Sequence, residues 1–327
     1  MLLLAGDIGG TTARFQIVDT EDENRGGEMF SYPSGDFPDF YALLHQLLCD
    51  KKIQEVDVAC FGLPGPITDQ QVELTNLPWR ISVQELKRQL PVKKIRLIND
   101  FYAAALGIDL LAEQDRCCLY AGNFDPDGNR LVIGAGTGLG VAPVYQLGGR
   151  FYPQASEGGH MDFAPLNQEQ EALLKWLHSR WNHVSYENIL SGSGLETLYR
   201  FCLERNKPIA YVTEVTARVR APEVHRLARA GDMVAVDAIR LFVNIYGEFV
   251  GNAALLWPAR AGIYIAGGIG AKIADWMKSR EFVSYFLNKG TMRPLVETMP
   301  VYLVMDEMIG LKGAMLMAQR LVSEEQI

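Results

Sequence analysis

A chain of 327 residues, 48% of them hydrophobic, carries more apolar surface than one compact core needs and points to two domains. Its net charge of −8, from 31 basic and 39 acidic residues with no clustered basic stripe, opposes nucleic acid and anionic membranes, so neither is an expected partner. The five cysteines (Cys49, Cys60, Cys117, Cys118, Cys202) are odd in number and show no C-x-x-C spacing, which argues against a disulfide framework or zinc ribbon and for a reducing cytoplasm.

The chain opens directly into an apolar run without a basic leader, so no secretory signal is expected. Leu2 to Ala5 reads as a buried strand, Gly9-Gly10 as a tight reversal, and Thr12 to Val18 as the returning strand. Without a Cβ at Gly9 or Gly10, backbone N–H groups can approach an anion, and the Thr11 and Thr12 hydroxyls add donors. Asp7 stands beside that turn, where phosphates would repel a carboxylate unless a cation lay between them, so Asp7 implies Mg²⁺. A plain β-hairpin with a Gly-Gly turn accounts for the same residues. A second loop of the same kind, Gly134 to Gly140 after Leu131-Val132-Ile133, favours the phosphate reading and suggests a duplicated unit. Neither loop has P-loop or dinucleotide spacing.

Glu28 to Pro33 reads as a third strand, Asp39 to Leu48 as an amphipathic helix and Val56 to Leu63 as another strand that Pro64-Gly65-Pro66 ends. Ser82 with Glu85 forms a capping box that opens a helix to about Leu90, and Lys94 to Ile98 is the next strand. Asn99 and Asp100 follow it and precede a helical run to Leu106 closed by Gly107, at the strand end where ligands of parallel sheets gather. Asp100 could equally be a helix N-cap. A loop-rich section, Glu113 to Asn129, follows, with a domain boundary near residue 110.

Leu131 to Gly149 has no charge over 19 residues, but its six glycines and one proline break it into two strands around a loop and not a membrane span. Glu157-Gly158-Gly159-His160 is an extended loop with an acid and an imidazole at its ends, a pattern common in binding loops. Helices are expected over Gln168–Arg180, Gly194–Arg205, Glu223–Ala230 and Asp232–Trp257. Ile263 to Ala266 is a strand running into Gly267-Gly268, a flat turn suited to an adenine or ribose, with a helix from Ala271. Val301 to Met305 is a last strand, and a closing helix over Gly310–Arg320 is expected to return to the first domain.

In this order the motifs resemble the sugar-kinase, actin and heat-shock-chaperone ATPase superfamily, and within it the bacterial glucokinases. The pieces that carry the resemblance are Gly6 to Thr11, Leu97 to Phe101, Gly134 to Gly140, Glu157 to Pro165, Leu190-Ser191-Gly192 and Ile265 to Ile269. The resemblance implies an α/β, two-domain actin-like ATPase (ribonuclease H-like) fold, with duplicated mixed sheets and a substrate cleft between the domains. The expected division is a small domain, 1–110 plus 301–327, and a large one, 111–300. Gly6, Asp7, Gly9, Gly10, Thr11, Thr12, Gly136, Thr137, Gly267 and Gly268 would bind ATP, with Asp7 organising Mg²⁺. Asn99, Asp100, Glu157, His160 and Glu187 would bind glucose, and a homodimer is implied.

Thr12 stands where that family usually has Asn, and Ser156 where Gly is common; a hydroxyl can replace the amide as donor. The related repressor-type family carries a cysteine-rich zinc motif, absent here because no cysteine lies between Cys118 and Cys202. The implied activity is an ATP-dependent hexose phosphotransferase acting on the 6-hydroxyl of glucose at the entry to glycolysis, with Asp100 as general base. Taken alone, Glu187 could support a helix end and His160 could be a surface histidine. Two other activities remain open at this stage: a kinase of another hexose or an amino sugar, such as fructose or mannose, and an ATPase switch of the actin or chaperone kind. The latter would leave the Glu157 loop without a purpose.

Overall fold

The central strands of this chain form where apolar residues run almost unbroken, as strands covered on both faces do. The computed structural model describes residues 1–21, 27–74, 77–206 and 219–323. The chain divides into two compact units, Met1–Asp115 with Arg150–Ala155 and Asp306–Ile327, and Arg116–Gly149 with Ser156–Met305.

In the first unit, β1 (Leu2–Ile8) forms an antiparallel hairpin with β2 (Thr12–Asp19), which pairs in turn with β3 (Glu28–Pro33). On its other side β1 pairs in parallel with β4 (Val56–Leu63). A small hairpin, β5 (Gln71–Glu73) and β6 (Arg80–Ser82), precedes β7 (Val92–Asn99), which completes the order β3-β2-β1-β4-β7. Alternate residues of β1 serve opposite cores. Leu4 and Ile8 pack with Phe15, Phe40, Phe61 and Trp79, while Leu3 and Ala5 pack with Ala103, Leu106, Leu311 and Ala314.

Helices cover both faces. Phe40–Asp50 starts at Asp39, whose carboxylate accepts from the Ala42 amide at 2.8 Å. Val83–Gln89 starts at Ser82, whose hydroxyl accepts from Glu85 N at 3.1 Å; the return half of the expected capping box is replaced, because Ser82 N donates to the Tyr41 hydroxyl. On the opposite face, Asp100–Gly107 crosses the C-terminal helix Ile309–Ser323. Residues 324–327 of the expected tail lie outside the described residues.

The second unit repeats the plan. Its strands are β8 (Arg116–Tyr120), β9 (Arg130–Ala135) and β10 (Leu139–Leu147), followed, after β11 (Arg150–Pro153) of the first unit, by β12 (Ile263–Ala266) and β13 (Val301–Val304). β9 and β10 form an antiparallel hairpin, β9 pairs in parallel with β12, β12 in parallel with β13, and β8 closes the edge against β13. A hairpin whose first strand continues into parallel neighbours is thus present in both units.

Three expectations change here, the first being that Arg150–Pro153, expected with the large domain, belongs to the first unit. Arg116–Tyr120 lies in the section expected to be loop, and it is a strand because β13 supplies its hydrogen-bond ladder. β13 itself, expected with the small domain, belongs to the second unit through its parallel pairing with β12. The helix Met233–Leu256 runs through this unit's core, with Phe242, Tyr246 and Phe249 fully buried. No helix among the described residues is long and apolar enough to cross a membrane.

Candidate active site

The first unit brings Asp7 and Asn99 to the same end of its sheet. Asp7 pairs in register with Gly62 of β4, and Leu63 of β4 pairs with Asn99 of β7, so three adjacent parallel strands end together. Two strand spacings, about 9–10 Å, separate the lines of β1 and β7. The Gly9 amide donates to the Thr12 carbonyl at 3.0 Å, which closes the turn and leaves Gly10 and Thr11 at its tip. Ser34, fully buried, clamps this turn: its hydroxyl donates to the Gly9 carbonyl at 2.8 Å and its amide to the Thr11 carbonyl at 3.0 Å. Sequence patterning gave no signal for Ser34, since its partners lie more than twenty residues earlier. Gly6 is buried, and a Cβ there would come within 2.8 Å of the Phe61 ring, so its missing side chain makes room for that ring.

Asp7 is half-buried, and burial pushes its carboxyl above the usual carboxylate range, an effect that the Arg14 guanidinium opposes. Arg14 is the cross-strand partner of Asp7 and also pairs with the Glu307 carboxylate at 3.6 Å. A Cβ on Gly310 would stand 3.2 Å from the Asp7 carboxylate, so the first turn of the C-terminal helix comes directly against it. Arg14 comes from the returning strand of the same hairpin, whereas Gly310 is not visible in the local sequence around Asp7.

At the end of β7 the helix cap is Asn99, not Asp100. The Asn99 side-chain oxygen accepts from Phe101 N at 3.0 Å and Tyr102 N at 3.1 Å, and its amide donates to the Gly65 carbonyl at 3.4 Å. Asp100 is then the first helical residue, with one carboxylate oxygen 2.9 Å from Phe101 N. The capping reading of this dipeptide therefore belongs to Asn99.

The second unit assembles another set. The loop after β9 closes through a Gly136 N to Gly138 O bond of 2.8 Å and leaves Thr137 exposed at its tip. It is tied from below, as the Ala135 amide donates to the Tyr246 hydroxyl at 3.1 Å and Gly192 N, at the start of the helix Gly192–Asn206, donates to the Gly136 carbonyl at 2.9 Å. β12 ends beside this loop. There Gly267 has φ of +87°, and a Cβ on it would lie 2.6 Å from the Ala135 carbonyl oxygen, so only glycine fits the turn into the helix Gly268–Lys272. That helix begins three residues earlier than the spacing predicts.

The Glu157 loop is a short 3₁₀ turn, Gly158–His160, whose Gly158 amide donates to the Ser156 hydroxyl at 3.0 Å. Ser156 therefore shapes the turn through its side chain. Glu187 joins it: its amide donates to the Gly159 carbonyl at 2.9 Å, and one carboxylate oxygen accepts from Leu139 N at 2.8 Å. His160 Nε2 stands 3.7 Å from the other Glu187 oxygen and 4.0 Å from Glu157 Oε2. Two carboxylates and an imidazole, Glu157 and His160 from one turn and Glu187 from farther along the chain, thus form one accessible cluster of hydrogen-bonding groups. His183 pairs with Asp162 outside it. A surface cavity of about 560 Å³ lined by Arg280, Leu287 and Arg293 contains none of the expected site residues.

The sequence profile of glucokinases matches residues 4–321 of this chain. A glucokinase of Nostoc sp. is 37% identical over 98% of this chain and 99% of its own length. Among solved structures, a glucokinase from an Antarctic psychrotroph is 31% identical, with a TM-score of 0.78 over 98% of this chain and 99% of that one. A Balamuthia mandrillaris glucokinase solved in complex with glucose shares the fold, with a TM-score of 0.83 at 22% identity over 97% of this chain and 93% of that one. The paired hairpin-and-parallel-strand units are the two-domain actin-like ATPase fold implied by the motifs, and the chain belongs to the glucokinase family.

Proposed function

We propose that the protein transfers the γ-phosphoryl group of ATP to the 6-hydroxyl of glucose, giving glucose 6-phosphate and ADP. The observation that carries this reading is the cluster of Glu157, His160 and Glu187 within 4.0 Å, beside family membership. Sugar hydroxyls need paired donors and acceptors, which two carboxylates and an imidazole supply. Asn99 and Asp100 take further hydroxyls, and Asp100 accepts the proton of the attacking one; because that proton leaves late in a loose transition state, geometry matters more than basicity.

Gly10, Thr11 and Thr12 in the first turn and Gly136 and Thr137 in the second hold phosphate oxygens, with Gly267 and Gly268 beside the adenosine. Asp7 fits Mg²⁺ as a single carboxylate beside the first turn. The remaining ligands of such an ion would be phosphate oxygens and water. When bound, Mg²⁺ neutralises charge on the phosphates.

The reading extends to a cytoplasmic enzyme at the entry to glycolysis and to a homodimer, which light scattering tests. A coupled ADP-release assay across a panel of hexoses, amino sugars and a no-sugar control tests the activity. Glucose is expected to give the highest kcat/KM. Preference for another sugar, or turnover independent of sugar, would overturn the substrate assignment.

A further inference from the structure

The helix Met233–Leu256 carries an ion pair near its start, Asp237 with Arg240, and further along Asn244, Glu248 and Asn252 follow one another in a seam at four-residue spacing. Side chains four residues apart share one helix face. Glu248 is 2% exposed, with Gln170 and Lys289 facing its carboxylate, and the Asn244 side-chain oxygen beside it on the helix is buried without a hydrogen-bond partner. Lys289 lies along the same helix, its Cε and Nζ occupying the space that a Cβ on Gly251 would fill. Burying a carboxylate is costly, and such costs persist where a polar network fixes something that packing alone does not.

What this seam holds is Tyr186. The Asn252 amide donates to the Tyr186 hydroxyl at 2.9 Å, and that hydroxyl donates to Glu248 Oε1 at 3.4 Å. The ring is buried between Phe163 and Phe249, with centroids 5.6 Å and 4.7 Å away. Tyr186 N donates to the Met161 carbonyl and the next amide, of Glu187, to Gly159, so this stretch is laced to the Glu157–Phe163 loop residue by residue. Glu187 therefore stands directly beyond a side chain that is pinned at both ring and hydroxyl.

We propose that Tyr186, held by Glu248 and Asn252, is a positioning residue that sets the Glu187 carboxylate and with it the affinity for sugar. The inference rests on the reading that Glu187 takes a sugar hydroxyl. Removing the Tyr186 hydroxyl keeps the ring in its apolar slot but frees the peg to shift, and a displacement of Glu187 weakens glucose binding without touching the nucleotide.

Steady-state kinetics on the full chain, with glucose and ATP varied separately, test this. Tyr186→Phe is expected to raise KM for glucose about tenfold while kcat and KM for ATP stay within about twofold. Glu248→Gln, which keeps an acceptor of the same shape, is expected to stay near the parent, and Glu248→Ala to follow Tyr186→Phe. A merely structural peg would lower Tm and leave KM for glucose unmoved. That result, or an equal rise in both KM values, overturns the proposal. Should Tyr186→Phe not fold, Asn252→Ala carries the same test from a partly exposed position, with a rise of about threefold expected and an unchanged KM overturning the inference. Glu187→Gln separates the two levels. If it leaves KM for glucose unchanged, the reading of the site fails; if it raises KM while Tyr186→Phe does not, only the positioning role fails.

Discussion

The Glu187 carboxylate accepts from the Leu139 amide at 2.8 Å and turns its other oxygen toward His160 Nε2 at 3.7 Å, so one side chain links the start of β10 to the glycine-histidine turn. Gly138 lies against that link, because a Cβ there would come within 2.5 Å of Glu187 Oε2. Gly138→Ala is therefore expected to push the carboxylate aside and raise KM for glucose about tenfold. The atom displaced is the end of a flexible side chain, so Tm should barely change. Kinetics paired with a melting curve check both halves; an unchanged KM would mean the carboxylate position does not matter to sugar binding.

Asp100→Asn is expected to lower kcat at least about a hundredfold, the usual scale for loss of a general base. Because Asn99 caps the helix, the change removes a first-turn charge and no cap. The stability loss should stay within the helix-dipole contribution of about 0.3–1 kcal/mol. Denaturant unfolding would verify the fold, and near-normal turnover would remove Asp100 from the role.

What could be read from the sequence was what local chemistry encodes. Glu28–Pro33 and Val56–Leu63 have the bounds their residues suggest, and both glycine loops close through bonds within a few residues. What escaped depends on distant partners. Arg116–Tyr120 has no strong alternation and is a strand only because β13, nearly two hundred residues on, pairs with it. Ser34 is an ordinary loop serine until the Gly9 turn is placed beside it. Likewise the helix cap is Asn99 and not Asp100, the residue read as the possible cap, because backbone geometry puts Asp100 already inside the helix. The tie between Tyr186 and Glu248 could be suspected only from a glutamate inside a mostly apolar helix.

Backbone contact between the helices Asp100–Gly107 and Ile309–Ser323 makes a separate stability expectation. A Cβ on Gly313 would fall 1.7 Å from the Ala103 carbonyl oxygen, and one on Gly107 would fall 2.2 Å from that of Ile309. Backbone cannot yield as a side-chain tip can. Gly313→Ala should therefore cost about 2–4 kcal/mol, at or above the usual scale of overpacking. Gly136→Ala, with nothing within 4 Å of the new methyl, should leave stability near the parent. Urea midpoints of the two variants provide the comparison, and equal midpoints would contradict the packing argument.

Asp7 offers a case where function and stability pull in opposite directions. Burial raises its folded pKa above the ordinary 3.8, with Arg14 opposing. Below 3.8 the carboxyl is protonated in both folded and unfolded chains and costs nothing. As pH rises past that value the unfolded chain ionises first, so stability falls, and the loss is complete once pH exceeds the raised folded pKa. Asp7→Asn should thus melt higher than the parent at neutral pH without ligands, with the gain vanishing toward low pH. The same variant should lose the stabilisation that Mg²⁺ with ATP gives the parent, together with at least about a hundredfold of kcat/KM. Melting curves across pH, with and without Mg²⁺ and ATP, read both effects. A variant less stable than the parent at pH 7 would mean that attraction to Arg14 outweighs burial, and retained stabilisation by Mg²⁺ with ATP would take the metal away from Asp7.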